Sequence, residues 1–160
     1  IMSDTQDVSQ TKILISRLEH LDSGSRARLK RSAGKELAAA GDALGLFYSL
    51  LPYGVPQYQE ETYFLIATLY PLAEGTTKGN FGDHLRTAQS AKNSKGLDRR
   101  VENLLDADLV QLHFRLRQAA KFLQSCRVRV NWLQLLEDVL QWEHPDRFIQ
   151  QRWARSYFGQ

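Results

Sequence analysis

Residues 130–158, VNWLQLLEDVLQWEHPDRFIQQRWARSYF, decide the fold class. The stretch contains all three tryptophans, Trp132, Trp142 and Trp153. Trp132, Leu133, Leu135, Leu136, Val139 and Leu140 recur at helical spacing and predict a helix with an apolar stripe. Ile149, Trp153 and Tyr157 follow one turn apart and predict a second helix, with Arg147, Arg152 and Arg155 placed elsewhere around it. His144-Pro145 separates the two. Pro145 suits the first turn of the second helix, where its missing N–H costs nothing. The pair therefore has a heavy aromatic anchor and a charged exterior.

Outward from this pair the same period repeats. Asp106 or Asp108 starts a long helix to Ser125, with Leu109, Leu112, Leu116, Ala119 or Ala120, and Leu123 three or four residues apart. Leu97 to Asp106 carries Leu97, Val101, Leu104 and Leu105, with Arg99 and Arg100 off the stripe. Gln89 to Gly96 (QSAKNSKG) is small, polar and basic, and reads as a linker. Asn80 caps a helix over Phe81 to Ala91. Gln57 to Ala73 is apolar nearly all round and predicts a buried helix, with Glu60 and Glu61 against its positive end. Leu44 to Leu51 is a short helix ended by Pro52, Gly54 and Pro56. Leu14, Leu18 and Leu21 mark a face of the first helix, and residues 1–7 are expected to fray. Between Asp22 and Gly34 lies a basic helix whose one strong apolar anchor is Leu29. No useful length alternates with period two, and no repeat of about 20–50 residues occurs. The expectation is an all-α, elongated protein of eight or nine helices in two packed lobes, 8–92 and 97–160.

Composition narrows the function classes. The chain has 160 residues, 42% of them apolar, and a net charge of +3. That is long enough to bury a core and too apolar for wholesale disorder. One cysteine, Cys126, allows no internal disulfide and fits a reducing cytoplasm. The N-terminal residues lack the apolar core of a secretory signal, and Met2 is the expected start, with Ile1 an extra residue. The most apolar run, Tyr63 to Leu72, is far shorter than the roughly 20 residues of a membrane span.

No constellation in the sequence carries chemistry. His20, His84, His113 and His144 are far apart and fall on different elements, whereas zinc needs clustered ligands. Gly75, Gly79 and Gly82 with Lys78 lack the order and the preceding strand of a phosphate loop. The pairs Glu60-Glu61, Asp106/Asp108 and Glu137-Asp138 read as caps and solvated faces. Cys126 reads as a plain thiol at a helix end. No cofactor, metal or catalytic residue is expected.

Arginine is the remaining signal. Of 21 Lys and Arg residues 14 are arginine, the side chain favoured for planar, bidentate phosphate contacts. They recur in patches: Arg17, Arg26, Arg28, Lys30 and Arg31; Arg99 and Arg100; Arg115, Arg117 and Lys121; Arg147, Arg152 and Arg155. Taken singly, each patch reads as a solvated helix face, and Asp98, Glu102 and Asp146 could pair with the arginines beside them. Taken together they suit a surface that tracks a nucleic-acid backbone without reading sequence.

Four segments then carry a resemblance: LEHLDSGSRARLKRS (18–32), LGLFYSLLP (44–52), DRRVENLLDAD with HFRLRQAAKFL (within 98–123), and the opening stretch. In this order and spacing the chain resembles the CasB family, the small subunit of the type I-E CRISPR-associated Cascade complex. The resemblance implies a non-enzymatic helical subunit of an antiviral, crRNA-guided assembly. It implies contacts with crRNA and target DNA, particularly the displaced non-target strand, and with the backbone and large subunits. It also implies self-association as a dimer within the complex, and no membrane. By position it assigns nucleic-acid contacts to Arg31, Arg99, Arg100, Arg117, Lys121, Arg147 and Arg152, with Arg26, Arg28 and Lys30 as further candidates. The competing expectations are a helical interaction module whose arginines only solubilise it, and a hydrolase with a pocket converging on His113 or His84.

Overall fold

The computed structural model describes residues 2–159, and side chains from residue 10 onward; Ile1 and Gln160 lie outside the described residues. Nine α-helices and no strand occur among them. In chain order they are α1 (Met2–Glu19), α2 (Ser23–Arg31), α3 (Leu44–Leu50), α4 (Glu60–Leu69), α5 (Phe81–Lys92), α6 (Leu97–Leu105), α7 (Leu109–Ser125), α8 (Trp132–Leu140) and α9 (Phe148–Phe158). α1 begins at Met2. Short 3₁₀ turns at Leu37–Ala39 and Gly41–Ala43 fill the alanine-rich segment before α3.

Local chemistry sets the starts. Asp22 Oδ1 accepts the Ser25 N–H at 2.7 Å and caps α2. Asn80 and Asp83 form a capping box at α5, as Asp108 and Gln111 do at α7. Asn131 caps α8. The start of α9 departs from the sequence reading. Pro145 lies in the turn, and α9 begins only at Phe148. Arg147 adopts a left-handed backbone (φ 52°), which redirects the chain and delays the helix by a turn.

The core is one contiguous cluster from Leu14 on α1 to Tyr157 on α9. Every residue of α4 from Thr62 to Leu69 is buried, which explains why all but the two threonines of that run are apolar or aromatic. α8 packs on α1 and α4, and α9 packs on α5, so the 8–92 and 97–160 segments share this core. The three tryptophans act as cross-links. Trp142 and Trp153 pack at a tilt with centroids 5.0 Å apart, and Phe81 of α5 lies 5.3 Å from Trp153. Each indole N–H is satisfied: Trp132 by the Ala73 carbonyl, Trp142 by the Ala107 carbonyl, and Trp153 by Asp138 Oδ2 at 2.8 Å. Asp138 is buried. Burial pushes its carboxyl above the ordinary range, opposed by the hydrogen bonds from Trp153 and Gln134.

Two features of α5 make testable demands. A Cβ at Gly82 would sit 2.3 Å from the Trp153 carbonyl oxygen, so only glycine lets α9 seat on α5. Gly45 on α3 has nothing within 4 Å of such a Cβ. Gly82→Ala is therefore expected to lower stability by about 1–3 kcal/mol or more, and Gly45→Ala to raise it by about 0.5–1 kcal/mol, both read by urea unfolding followed by circular dichroism. His84, also on α5, is buried, and its Nε2 accepts the Asn131 N–H at 3.0 Å. Burial lowers its pKa from 6.5 to about 4. The neutral ring thus contributes stability that is full above pH 6.5 and lost as pH falls toward 4. The loss amounts to about 3 kcal/mol at most. A histidine NMR titration should place the His84 midpoint near 4, and His84→Gln should flatten this part of the pH–stability profile; a midpoint near 6.5 would contradict the assignment.

Candidate nucleic-acid interface

The basic residues of α2 divide between structure and solvent. The guanidinium of Arg26 lies 5.6 Å from the centre of the Tyr70 ring. Arg28 Nη2 donates to the Asp42 carbonyl at 2.6 Å, and Arg31 pairs with the Asp42 carboxylate at 3.2 Å. One loop residue thus holds two of the helix's arginines. Lys30 is exposed with no protein partner among the described residues.

Past α2 the chain turns at Gly34, which has a left-handed backbone (φ 81°). The side chain of Arg117 packs there, its Cδ 2.6 Å from where a Gly34 Cβ would lie. Arg117 belongs to α7, so the turn after α2 and the polar face of α7 meet. Beyond Arg117, at about 100° per residue, the solvent face of α7 carries Val110, Lys121, Phe114 and Gln118, all exposed. On its far flank α6 packs, bringing Arg100 within 4.8 Å of the Phe122 ring centre. Arg100 and Arg115 both border a slot between α6 and α7. Arg99 is exposed next to Arg100. Arg117, Lys121 and Arg100 thus follow one another from the turn after α2 across α7 to α6, and Arg99 is exposed on α6 about 100° around the helix from Arg100.

Arg147 and Arg152 lie apart from these residues in their contacts. Arg147 Nη2 donates to the Leu105 carbonyl at 2.6 Å and closes the C-terminal end of α6. It lies in a shallow cleft with Glu102 and Asp106. Arg152 lies over the Phe148 ring at 5.0 Å.

The acids do not neutralise these cations. Asp98, beside Arg99 in sequence, instead accepts the Tyr157 hydroxyl at 2.6 Å. Burial and that bond hold the hydroxyl well above its usual pKa, so it remains a donor. Among the described residues Arg31 alone of the ten candidates has a carboxylate within 4.0 Å. The expected pairing of Asp98 with its neighbouring arginines is thus replaced by a tie between α6 and α9. His84 and His113 are each engaged inside the fold, His84 by the Asn131 N–H. His113 Nδ1 lies 2.8 Å from the Leu109 carbonyl, and its Nε2 lies 3.7 Å from Glu61. Among the described residues no three potential metal ligands gather, and no helix is long and apolar enough to cross a membrane.

A family model, CRISPR-associated protein Cse2, matches residues 25–158. The chain belongs to the Cse2 family. The CRISPR-associated protein Cse2 of Thermus thermophilus is 34% identical over 125 residues, 72% of this chain and 71% of that protein. The crystal structure of CasB from Thermus thermophilus matches with a TM-score of 0.79 and 28% identity, over 96% of this chain and 98% of that one. A chain of a CRISPR RNA-guided surveillance complex shares the fold, with a TM-score of 0.80 at 19% identity over 94% of this chain and 92% of that one. CasB and Cse2 relatives thus meet the resemblance carried by the four sequence segments.

Within this Cse2 fold, sequence reasoning passed over Phe114, Gln118 and Phe122, and left Arg115 unassigned. A signal existed: both phenylalanines fall off the buried stripe of Leu112, Leu116, Ala120 and Leu123. An aromatic off the stripe of an amphipathic helix faces a neighbour or the solvent.

The two kinds of arginine should separate by mutation. Arg28→Ala and Arg147→Ala each delete a bond to a backbone carbonyl and are expected to cost about 1 kcal/mol. Lys30→Ala, Arg99→Ala and Lys121→Ala should stay within about 0.5 kcal/mol of the parent. Urea unfolding of the five variants checks the division, and a large cost at Arg99 or Lys121 would give those side chains a structural role.

Proposed function

We propose that this chain is the small, non-catalytic subunit of a Cascade-type CRISPR RNA-guided surveillance complex. It holds nucleic acid by the backbone and so stabilises the R-loop and the displaced non-target strand. One observation carries the reading: the cations of α6 and α7 (Arg99, Arg100, Lys121) face solvent with no carboxylate partner among the described residues. A surface meant only to be soluble intersperses both signs, whereas α7 contains no acid from Leu109 to Ser125. Unpaired arginines and lysines release condensed counterions when they meet phosphates, which gives affinity without base preference. R-loop formation nearly balances the duplex that it replaces, so such contacts can tip it.

Of the ten candidates, Lys30, Arg99, Arg100, Arg117 and Lys121 form the strand path. Arg26, Arg28 and Arg31 shape its edge at α2, and Arg147 and Arg152 extend it past α6. A different surface suits protein neighbours. Tyr53 and Tyr58, 99% and 83% exposed, flank the turn between α3 and α4 beside the acids Glu60 and Glu61. Large aromatics without a basic setting suit contact with other subunits of the complex or with a second copy of this chain.

The test reverses two charges. Arg99→Glu combined with Arg100→Glu should shorten R-loop lifetime in the reconstituted complex. It should also reduce the salt dependence of single-strand binding by about 0.7 for each phosphate released, while the circular dichroism melt stays that of the parent. An unchanged R-loop lifetime removes α6 from the path.

A further inference from the structure

The slot between α6 and α7 has more chemistry than a backbone track needs. Leu97, Val101 and Leu104 of α6 line it, and with Arg100 lying over Phe122 it holds about 40 Å³ of water-accessible space. Phe122 forms one wall, half-buried, with its ring under the Arg100 guanidinium. Arg115 and Gln118 stand at the rim, and no carboxylate lines the slot. An apolar floor, an aromatic wall and two cations at the mouth form a site for a flat, apolar-faced group attached to an anion.

We propose that this slot receives one nucleobase of a single strand that runs along α7. The inference rests on the backbone-binding reading above and adds a base-dependent contact to it. The base stacks on the Phe122 ring, displacing Arg100, whose guanidinium turns to the phosphate on one side while Arg115 meets the phosphate on the other. Every base has a π face, so stacking is indifferent to sequence. Gln118 keeps that indifference, because its amide both donates and accepts hydrogen bonds. Phe114, 56% exposed one turn before Gln118, gives the neighbouring base a second aromatic surface on the same helix face. A protein side chain would be a poorer occupant. The apolar residue that suits the floor carries no charge for the two guanidiniums, and an acidic one does not suit the floor.

The experiment compares two probes of equal charge: a single-stranded thymidine oligonucleotide and an abasic phosphodiester of the same length, each titrated with the full chain by fluorescence anisotropy. The base-bearing strand should bind at least about five-fold more tightly, the lower end of what stacking on an aromatic side chain supplies. Phe122→Leu should abolish that preference. Ala119→Leu, which narrows the slot from its rim and keeps the ring, should do the same if Phe122→Leu disturbs folding. Arg99→Glu, outside the slot, should weaken both strands alike. Equal affinity of the parent for both probes, or a preference that survives both slot variants, overturns the base site, leaves the backbone reading standing and returns the slot to protein contacts. No binding of either probe at low salt overturns both.

Discussion

The seating of α9 on α5 is the constraint on which the rest depends. Gly82 lets the backbone of Trp153 come so close that no other side chain fits between them. Trp153 then lies against both Phe81 and Trp142, and its N–H reaches the buried Asp138 on α8. A second tie runs from Asn80, the cap of α5, to the hydroxyl of Ser156 at 2.9 Å. One helix from the middle of the chain is thereby fixed to the last. The C-terminal aromatic helices are thus the closing layer of a core that begins at α1.

That seating also sets the surface charge. With α9 in place, Tyr157 meets Asp98 and takes the acid adjoining Arg99, while Glu102 lies within 4.0 Å of neither arginine. The two arginines are left facing outward. This costs the fold little, since exposed ion pairs contribute at most about 1 kcal/mol and solvated cations need no partner. The consequence for binding is larger. A cation already paired must break that pair before it meets a phosphate, and one left free need not. The same hydrogen bond therefore holds α6 against α9 and keeps the α6 cations available.

The helices were legible because each depends on a short-range pattern. The cap at Asn80, the largely apolar run of α4 and the lone anchor Leu29 of α2 are local facts, and local facts survive folding. Leu29 alone in a field of arginines correctly marked α2 as a helix with one buried contact. The start of α9 was not legible. The left-handed turn at Arg147 is set by its reach to Leu105, 42 residues away, and no propensity at Pro145 encodes that distance. For the same reason Asp98 could be seen beside Arg99 but not turned toward Tyr157. The series across α7 was half visible. Arg117 and Lys121 share a helix face by spacing alone, but their junction with the turn after α2 depends on Gly34, and their junction with α6 depends on Phe122.

Arginine content is an imprecise guide for a physical reason. A guanidinium offers five donors in a fixed fork, which suits a phosphate and suits a helix's unsatisfied carbonyls equally well. This fold uses both abilities. Arg17 reaches the Leu50 and Leu51 carbonyls at the end of α3, Arg28 the Asp42 carbonyl, and Arg147 the Leu105 carbonyl at the end of α6. These close helix ends and join loops, and they would be needed in a protein that never met a nucleic acid. The residues that distinguish this surface are the ones the fold does not use: Lys30, Arg99 and Lys121 have no internal partner among the described residues, and Arg100 has only an aromatic ring. The net charge of +3 is modest because 18 acidic residues offset 21 Lys and Arg over the whole chain. Residues of the second population can meet a phosphate without giving up a hydrogen bond inside the fold, and the packing of α6 on α7 fixes where Arg100 stands.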